Sequence, residues 1–202
     1  MFLKCLTLCA ALAAYTLSFS TPAFASVTDD VKKTVDQVVA IVSNAELKKP
    51  RNEAKRRAAL KSAISVIFNY GEMAKRSLGV HWKGRSKAEQ QEFVNLFATL
   101  LENSYANKIE SYENEKILYD KETIDGDYAE VKSRVVTAKR DEFTLDYRLL
   151  KEGNRWMVYD VVIEGVSLVS NYRSQFSKII TGQGYGALVK KLKVKSEDIK
   201  AL

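Results

Sequence analysis

Few residues in this chain have the type and spacing that catalysis requires. His81 is the single histidine, and it stands beside Trp82 between predicted helices, a setting more typical of packing than of general-base chemistry. The two cysteines, Cys5 and Cys9, lie close to the N-terminus. No His or Cys pair therefore has the spacing of a zinc or haem site, and no nucleophile–histidine pair can be assembled. We predict no catalytic residue, no metal site and no cofactor.

Asp160 is the one carboxylate that leaves an enzymatic alternative open. It interrupts the apolar run of residues 158–162, and a carboxylate in such surroundings can serve as a general base. Tyr147 and Tyr159 are the residues that could stabilise an oxyanion near it. An aspartate paired with Arg or Lys, or placed at a bulge, would produce the same pattern. The alternative function is a small exported isomerase or hydrolase with Asp160 as base.

The N-terminus has the pattern of an export signal. Lys4 precedes the apolar run of residues 5–19, and Ala23-Phe24-Ala25 is a small-residue cleavage site. We therefore expect residues 1–25 to be a removed signal peptide and residues 26–202 to form one domain. Because both cysteines lie in the removed segment, the mature chain has no disulfide.

The basic charge of the chain has two explanations, a solvated surface without a specific partner or attraction to anionic lipid headgroups or acidic protein surfaces. The formal net charge is +7, and losing Lys4 leaves +6 because residues 1–25 contain no acidic side chain. The basic residues are spread along the chain and alternate with Asp and Glu, which is not the clustered pattern of a nucleic-acid-binding protein. We therefore expect no nucleic-acid partner.

Hydrophobic periodicity indicates helices first, strands next and a helix last. The valines at 31, 35, 38 and 42 mark one helix face, and Ser86-x-x-Glu89 is a capping box that opens a long helix to about Ser111. Predicted helices cover 27–42, 52–68, 72–78 and 86–111, predicted strands cover 116–119, 128–138, 142–151 and 155–163, and a final helix follows Gly165. Short turns between the strands predict an antiparallel meander. The fold class is α+β, with helices packed on a curved four-stranded antiparallel sheet. This arrangement resembles the cystatin/NTF2-like architecture, and the resemblance implies that helices and sheet enclose an apolar cavity.

Four segments of the mature chain resemble one known family. They are MAKRSLGVHW (73–82), FVNLFATLLENSY (93–105), WMVYD (156–160) and EGVSLVSNYRSQF (164–176). Together, in this order, they resemble the MlaC family of periplasmic lipid carriers, also called the toluene-tolerance family. The resemblance implies a monomeric, periplasmic, non-enzymatic protein that encloses the acyl chains of a diacyl phospholipid.

The resemblance also implies partners and cargo. Family members carry phospholipid between an outer-membrane lipoprotein–porin complex and an inner-membrane MCE/ABC transporter, and some relatives are associated with hopanoids instead. We expect a similar role in outer-membrane lipid asymmetry for this chain. Hopanoid as cargo remains open, as does an interaction module with a solid core and a basic docking face.

Two sets of residues are the candidate site under this interpretation. Periodicity alone favours an ordinary solid core for the apolar set, and only the resemblance makes it a cavity wall. The predicted wall consists of Phe93, Phe97, Leu101, Phe143, Leu145, Tyr147, Trp156 and Val158. The predicted basic residues at the cavity mouth, for headgroup or partner contact, are Arg173, Lys75, Arg76, Lys83 and Arg85.

Overall fold

Six α-helices and a five-stranded sheet make up the part of the chain, residues 26–197, that the computed structural model describes. In chain order the elements are α1 (Val27–Ser43), α2 (Glu53–Ser65), α3 (Tyr70–Leu78), α4 (Lys87–Glu110), β1 (Lys116–Asp125), β2 (Tyr128–Val136), β3 (Glu142–Glu152), β4 (Arg155–Ile163), β5 (Val166–Ser167), α5 (Leu168–Gln183) and α6 (Tyr185–Glu197). The α+β prediction is confirmed. The predicted signal peptide, residues 1–25, lies outside the described residues.

Capping boxes fix the starts of α1 and α4. The Ser86 hydroxyl accepts a hydrogen bond from the Glu89 backbone N–H at 3.2 Å, and the Glu89 carboxylate accepts one from the Ser86 N–H at 2.7 Å. Ser26 and Asp29 form the same reciprocal pair at the start of α1. Each box satisfies backbone donors that a helix start otherwise leaves free. The predicted start of the long helix at Ser86 is therefore confirmed.

The sheet is an antiparallel meander in the order β1-β2-β3-β4-β5. Gly126 and Gly153 adopt positive φ angles of 56° and 59° in the tight turns that join β1 to β2 and β3 to β4. These angles favour glycine because a Cβ would be strained there. The register of β4 shifts at Tyr159, so that Asp160 pairs with Arg148 while Val158 pairs with Leu149.

Two details of the sheet differ from the sequence-based prediction. β1 extends to Asp125, whereas the predicted strand ended at Tyr119. The polar side chains of this edge strand do not alternate with apolar ones, so the sequence pattern did not indicate its second half. A fifth strand, Val166–Ser167, pairs with β4 where a helix was expected to begin. Glu164 and Gly165 both have positive φ and reverse the chain within two residues, so α5 starts only at Leu168.

The interior is divided into two apolar clusters. The helical core joins α3, α4, α5 and α6, and it contains the fully buried Phe93 and Phe97 with Phe176, whose ring lies edge-on to both at 5.6 and 5.7 Å. The sheet-side cluster joins α1 to the sheet through Val27, Val31 and the β-strand residues opposite them. None of the helices in residues 26–197 combines the length and apolar character that crossing a membrane requires.

Candidate functional site

An apolar cavity of about 500 Å³ lies between α1, α2, the C-terminal half of α4 and one face of the sheet. Its size falls in the range of protein pockets that bind small organic ligands. Valines of α1 and the Leu60 and Ile64 side chains of α2 face it from one side, and strand residues face it from the other. The main apolar lining residues are Val31, Val35, Val38, Val39, Val42, Leu60, Ile64, Ile67, Leu101, Ile109, Leu145, Val158, Val161 and Ile163.

Five of the eight predicted wall residues line this cavity. Phe143, Leu145 and Tyr147 alternate along β3 and all face it, as the period of two requires. Leu101 reaches it from α4 and Val158 from β4. These five are brought together as the sequence pattern predicted, and their role in binding a ligand stays a prediction.

Phe93, Phe97 and Trp156 lie elsewhere. Phe93 and Phe97 are completely buried in the helical core, with their rings stacked at 5.9 Å. Trp156 is half-buried beside the sheet-side cluster, and the Lys151 ammonium lies 5.9 Å from its ring centre. The N-terminal half of α4 packs on α5 and α6, and only its C-terminal half reaches the cavity.

The five basic residues predicted at the mouth do not line the cavity. They lie instead around the end of α3 and the face of α5. Arg76 and Lys75 both pair with Glu72, and the Arg76 guanidinium stacks 4.0 Å above the Tyr159 ring. The Arg173 Nε donates to the backbone oxygen of Arg76 at 2.8 Å. These five residues lie outside the lining of the cavity, and their contact with a headgroup or a partner protein stays a prediction.

Arg85 and Lys83 occupy the same side of the molecule as the other predicted basic residues. The Arg85 guanidinium lies 4.7 Å from the Tyr185 ring centre and 3.5 Å from the Glu89 carboxylate. Lys83 is exposed in the turn between α3 and α4. Both are therefore surface residues outside the cavity.

The charged residues that do line the cavity form a different set, which we call the rim. The rim consists of Arg57, Lys61, Glu102, Lys108 and Glu115. Lys61 and Lys108 are exposed and the other three are half-buried, so the cavity meets solvent along the rim. Within the rim, Lys61 on α2 pairs with Glu102 on α4 at 3.1 Å, so this ion pair joins the two helices.

A second ionic contact joins α2 to α4 just outside the cavity. Arg56 and Glu110 form an ion pair at 2.6 Å, and their side chains are only 13% and 15% exposed. Arg57 lies 3.6 Å from the same carboxylate and also pairs with Glu53 at 3.0 Å. These ion pairs therefore attach the α1–α2 pair to α4 in a region that the sheet-side cluster does not cover.

Asp160 points away from the cavity. The bulge at Tyr159 turns it to the opposite face of β4 from Val158 and Val161, both of which line the cavity. Asp160 is 3% exposed and accepts hydrogen bonds from the Ser167 hydroxyl at 2.6 Å and the Val169 N–H at 3.0 Å. These contacts tie β4 to the start of α5, which is a structural role rather than that of a base facing a substrate.

Burial raises the pKa of tyrosines on and near the cavity wall. It raises the pKa of Tyr147 and, with the Glu102 carboxylate nearby, that of Tyr70. It also raises the pKa of Tyr119, which packs beside the sheet-side cluster, to about 12. The charged side chains that line the cavity are those of the rim.

No acidic, histidine or cysteine cluster able to hold a metal ion occurs within residues 26–197. His81 is half-buried between α3 and α4, with its Nε2 3.4 Å from the Ser177 hydroxyl. This contact is consistent with the packing role that the sequence indicated for His81.

The α1 and α2 walls were missed as parts of the site. The valine stripe of α1 was visible in the sequence, but an amphipathic helix face gives the same signal whether it covers a solid core or a cavity. No sequence pattern indicated the rim, because Arg57 and Lys61 lie far from Glu102 along the chain. Tertiary packing alone brings them together.

Comparisons with known proteins agree on one family. The family model described as MlaC protein matches residues 32–194. The intermembrane phospholipid transport system binding protein MlaC of Haemophilus influenzae is 26% identical over 141 residues, covering 67% of this chain and 66% of that protein. The toluene tolerance protein ttg2D of Pseudomonas putida is 25% identical over 128 residues, covering 62% and 60%. The chain thus spans just under two thirds of the length of these curated relatives.

A solved structure shares the fold. The phospholipid-binding protein from Ralstonia solanacearum, determined in complex with a phospholipid, superposes with a TM-score of 0.76 at 28% identity. The match covers 84% of this chain and 96% of that protein, so the similarity extends over helices and sheet together.

Proposed function

This chain belongs to the MlaC family, and on that premise we propose that it is a periplasmic, non-enzymatic carrier that encloses the acyl chains of a phospholipid. The observation that carries the proposal is the apolar cavity between α1, α2, α4 and the sheet. A structural relative bound to a phospholipid supports the same cargo.

The free energy of exposing an acyl chain explains why a carrier needs such a cavity. Each methylene moved into water costs about 0.8 kcal/mol, so one sixteen-carbon chain costs on the order of 13 kcal/mol. A protein that only touched the chain would not offset this cost. The cavity therefore has to surround the tail along most of its length.

The α1–α2 pair is the part of the cavity wall that would have to move outward if the cavity must widen to enclose both tails of a diacyl lipid. The ionic contacts of Lys61 and Arg56 with α4 would have to lengthen in that motion.

We extend the proposal to the route of transport. A cargo held this tightly leaves slowly unless a partner opens the cavity, so release would occur on docking to a membrane complex. The partners proposed are the inner-membrane MCE/ABC transporter and the outer-membrane lipoprotein–porin complex. The carrier would act as a monomer after removal of residues 1–25.

Native mass spectrometry of the protein purified from cells, followed by solvent extraction, tests the proposal. We expect a stoichiometric phospholipid in the wild type. Ala106→Trp places a large ring in the cavity wall and should reduce the bound lipid, whereas Val80→Trp, at a position 87% exposed and outside the wall, should not. A lipid-free wild type that stays lipid-free after incubation with phospholipid vesicles would refute the carrier function.

The enzymatic alternative has less support. Asp160 is the base that it requires, and this residue faces away from the cavity and is already occupied by two donors. A turnover lost specifically in Asp160→Asn, with folding intact, would revive that alternative.

A further inference from the structure

The mixing of basic with acidic side chains that holds for most of the chain stops in two segments. Residues 73–88 contain five basic side chains and residues 165–196 contain six, and neither segment contains Asp or Glu. In the rest of residues 26–197 the acidic side chains outnumber the basic ones. The net positive charge of the domain is therefore concentrated in these two segments.

The two segments adjoin in the fold. The first comprises most of α3 and the turn to α4, and the second comprises α5 and nearly all of α6. The Arg173 Nε on α5 donates to the Arg76 backbone oxygen at 2.8 Å, and the Ser177 hydroxyl of α5 lies 3.4 Å from the His81 Nε2. The helical core joins α5 to α6. Tertiary packing thus brings together two regions that both lack negative charge.

Six exposed basic side chains of these segments form no ion pair with any side chain that the structure describes. We call this set the basic face, and it consists of Lys83, Lys87, Arg173, Lys178, Lys190 and Lys191. Their charges are not neutralised within the described part of the protein and can therefore attract an anionic partner.

The composition of the basic face favours a lipid bilayer over a protein as that partner. Protein interfaces are enriched in aromatic side chains and depleted in lysine. Five of the six residues of the basic face are lysines, and none of the aromatic side chains in the two segments is exposed. An extended layer of lipid phosphates needs no such aromatic contacts, and it attracts every lysine that comes near it.

An exposed apolar side chain stands beside these charges. Val80 is 87% exposed, the highest value among the large apolar residues of the described chain. It follows Gly79, against which the Arg173 side chain packs. Basic residues around a protruding apolar side chain are typical of protein surfaces that lie on anionic membranes.

The basic face is separate from the cavity. None of its six residues lines the cavity, whose rim belongs to α2, to the C-terminal half of α4 and to the segment that precedes β1. Contact with a bilayer through the basic face therefore does not require the cavity to open.

We propose that the basic face binds the surface of a bilayer that contains anionic phospholipid. The lysine ammonium groups contact the lipid phosphates, and Val80 enters the headgroup layer. The inference goes beyond the proposed carrier function, because it concerns the membrane on which the protein rests and not the lipid that it encloses. A protein held in this way reaches a membrane-embedded partner by diffusing along the bilayer.

Vesicle sedimentation with the purified protein measures this binding. One set of vesicles is phosphatidylcholine alone, and the other is an equimolar mixture of phosphatidylcholine and phosphatidylglycerol. We expect the wild type to bind the mixed vesicles far more tightly, and to be released as ionic strength rises because salt screens the charges. Each lysine near an anionic bilayer strengthens binding about fivefold, so the double variant Lys83→Gln/Lys178→Gln should bind about 25-fold more weakly.

The chain contains a matched control for this double variant. Lys121 on β1 and Lys139 in the turn between β2 and β3 are exposed, form no ion pair with a described side chain and lie outside the basic face. Lys121→Gln/Lys139→Gln changes the net charge equally and should bind the mixed vesicles nearly as the wild type does. Val80→Trp should bind them more tightly, because tryptophan favours the membrane–water interface. Thermal unfolding of each variant verifies that it is folded.

A variant of the cavity separates bilayer contact from lipid uptake. Ala106 lines the cavity, and Ala106→Trp should bind the mixed vesicles as the wild type does even though its cavity is obstructed. Loss of vesicle binding in this variant would overturn the proposal, because uptake through the cavity would then hold the protein on the vesicle. A failure of the carrier function would appear instead as a lipid-free protein in native mass spectrometry.

Three other outcomes would also overturn the bilayer contact. Absence of wild-type binding to the mixed vesicles would do so, and it would indicate an acidic protein surface as the partner of the basic face. Unchanged binding of Lys83→Gln/Lys178→Gln would show that the basic face is not the contact. Equal weakening in Lys121→Gln/Lys139→Gln would mean that the net charge of the protein explains the binding.

Discussion

Replacing Asp160 by alanine should destabilise the fold without emptying the cavity. The carboxylate is 3% exposed and accepts hydrogen bonds from the Ser167 hydroxyl and the Val169 N–H at 2.6 and 3.0 Å. Its third contact, to Arg148 at 3.5 Å, involves a side chain that is 40% exposed. The first two contacts therefore dominate, and they join β4 to the N-terminus of α5.

The magnitude follows from these contacts. A hydrogen bond to a charged group contributes about 1.5–3 kcal/mol, so two give about 3–6 kcal/mol, and the exposed arginine adds close to nothing. For a domain of this size each kcal/mol lowers the Tm by about 2–4 °C. We expect Asp160→Ala to lower the Tm by roughly 10 °C or more, and Asp160→Asn to have a smaller effect because it keeps one acceptor oxygen.

Urea and thermal unfolding, followed by circular dichroism, measure this change, and native mass spectrometry of the same samples measures bound lipid. Asp120→Asn is the control, since Asp120 forms an exposed pair with Arg134 and its loss should leave the Tm near that of the wild type. A loss below about 1 kcal/mol in Asp160→Ala would refute the reasoning from buried charge-assisted bonds. Loss of lipid without loss of stability would instead mean that Asp160 acts at the site.

Three further predictions concern the helical core, the N-terminal cap of α4 and the ionisation of Tyr147. Phe97→Ala should lower the free energy of unfolding by about 3–5 kcal/mol, yet leave the lipid content of the folded fraction unchanged in native mass spectrometry, because Phe97 lies in the helical core. Ser86→Ala should lower the stability in urea by about 1 kcal/mol through loss of the cap on α4; an unchanged urea midpoint would contradict this role. Burial raises the pKa of Tyr147 above its unfolded value, so its contribution to stability is complete below about pH 10 and decreases above it. In urea titrations between about pH 9 and 11, Tyr147→Phe should therefore lose stability less steeply than the wild type, by up to about 1.4 kcal/mol per pH unit.

Local rules predicted the elements well where a residue pattern is tied to one backbone geometry. The capping box at Ser86 fixed the start of α4, and the glycine turns at 126 and 153 fixed the hairpins, because each depends on residues close together in the chain. The alternation along β3 correctly indicated which side chains share a face.

The site itself was only partly predictable, because its composition depends on tertiary packing. Leu145 and Tyr147 were found by alternation along β3. Phe93 was assigned to the wall because an apolar stripe along a helix does not show which part packs on other helices and which part faces the cavity. The single-residue bulge at Tyr159 was equally invisible, and it decides that Asp160 faces away from the cavity. Lys61 and Glu102 meet only because α2 folds across α4.

The position of the helical core relative to the cavity has a consequence for the empty protein. Most of the buried contacts among α3, α4, α5 and α6 lie away from the cavity, which Met73 and Leu101 are the only buried members of this core to line, so the folding of these helices depends little on what fills it. The α1–α2 pair, by contrast, makes part of its apolar contacts with the molecule that fills the cavity. Amide hydrogen exchange of the lipid-free protein should therefore be slow in the four helices and fast in α1 and α2. The proposed cargo would then behave as a removable piece of the protein's own interior, and the molecule would alternate between a fully and a partly consolidated fold as it loads and unloads.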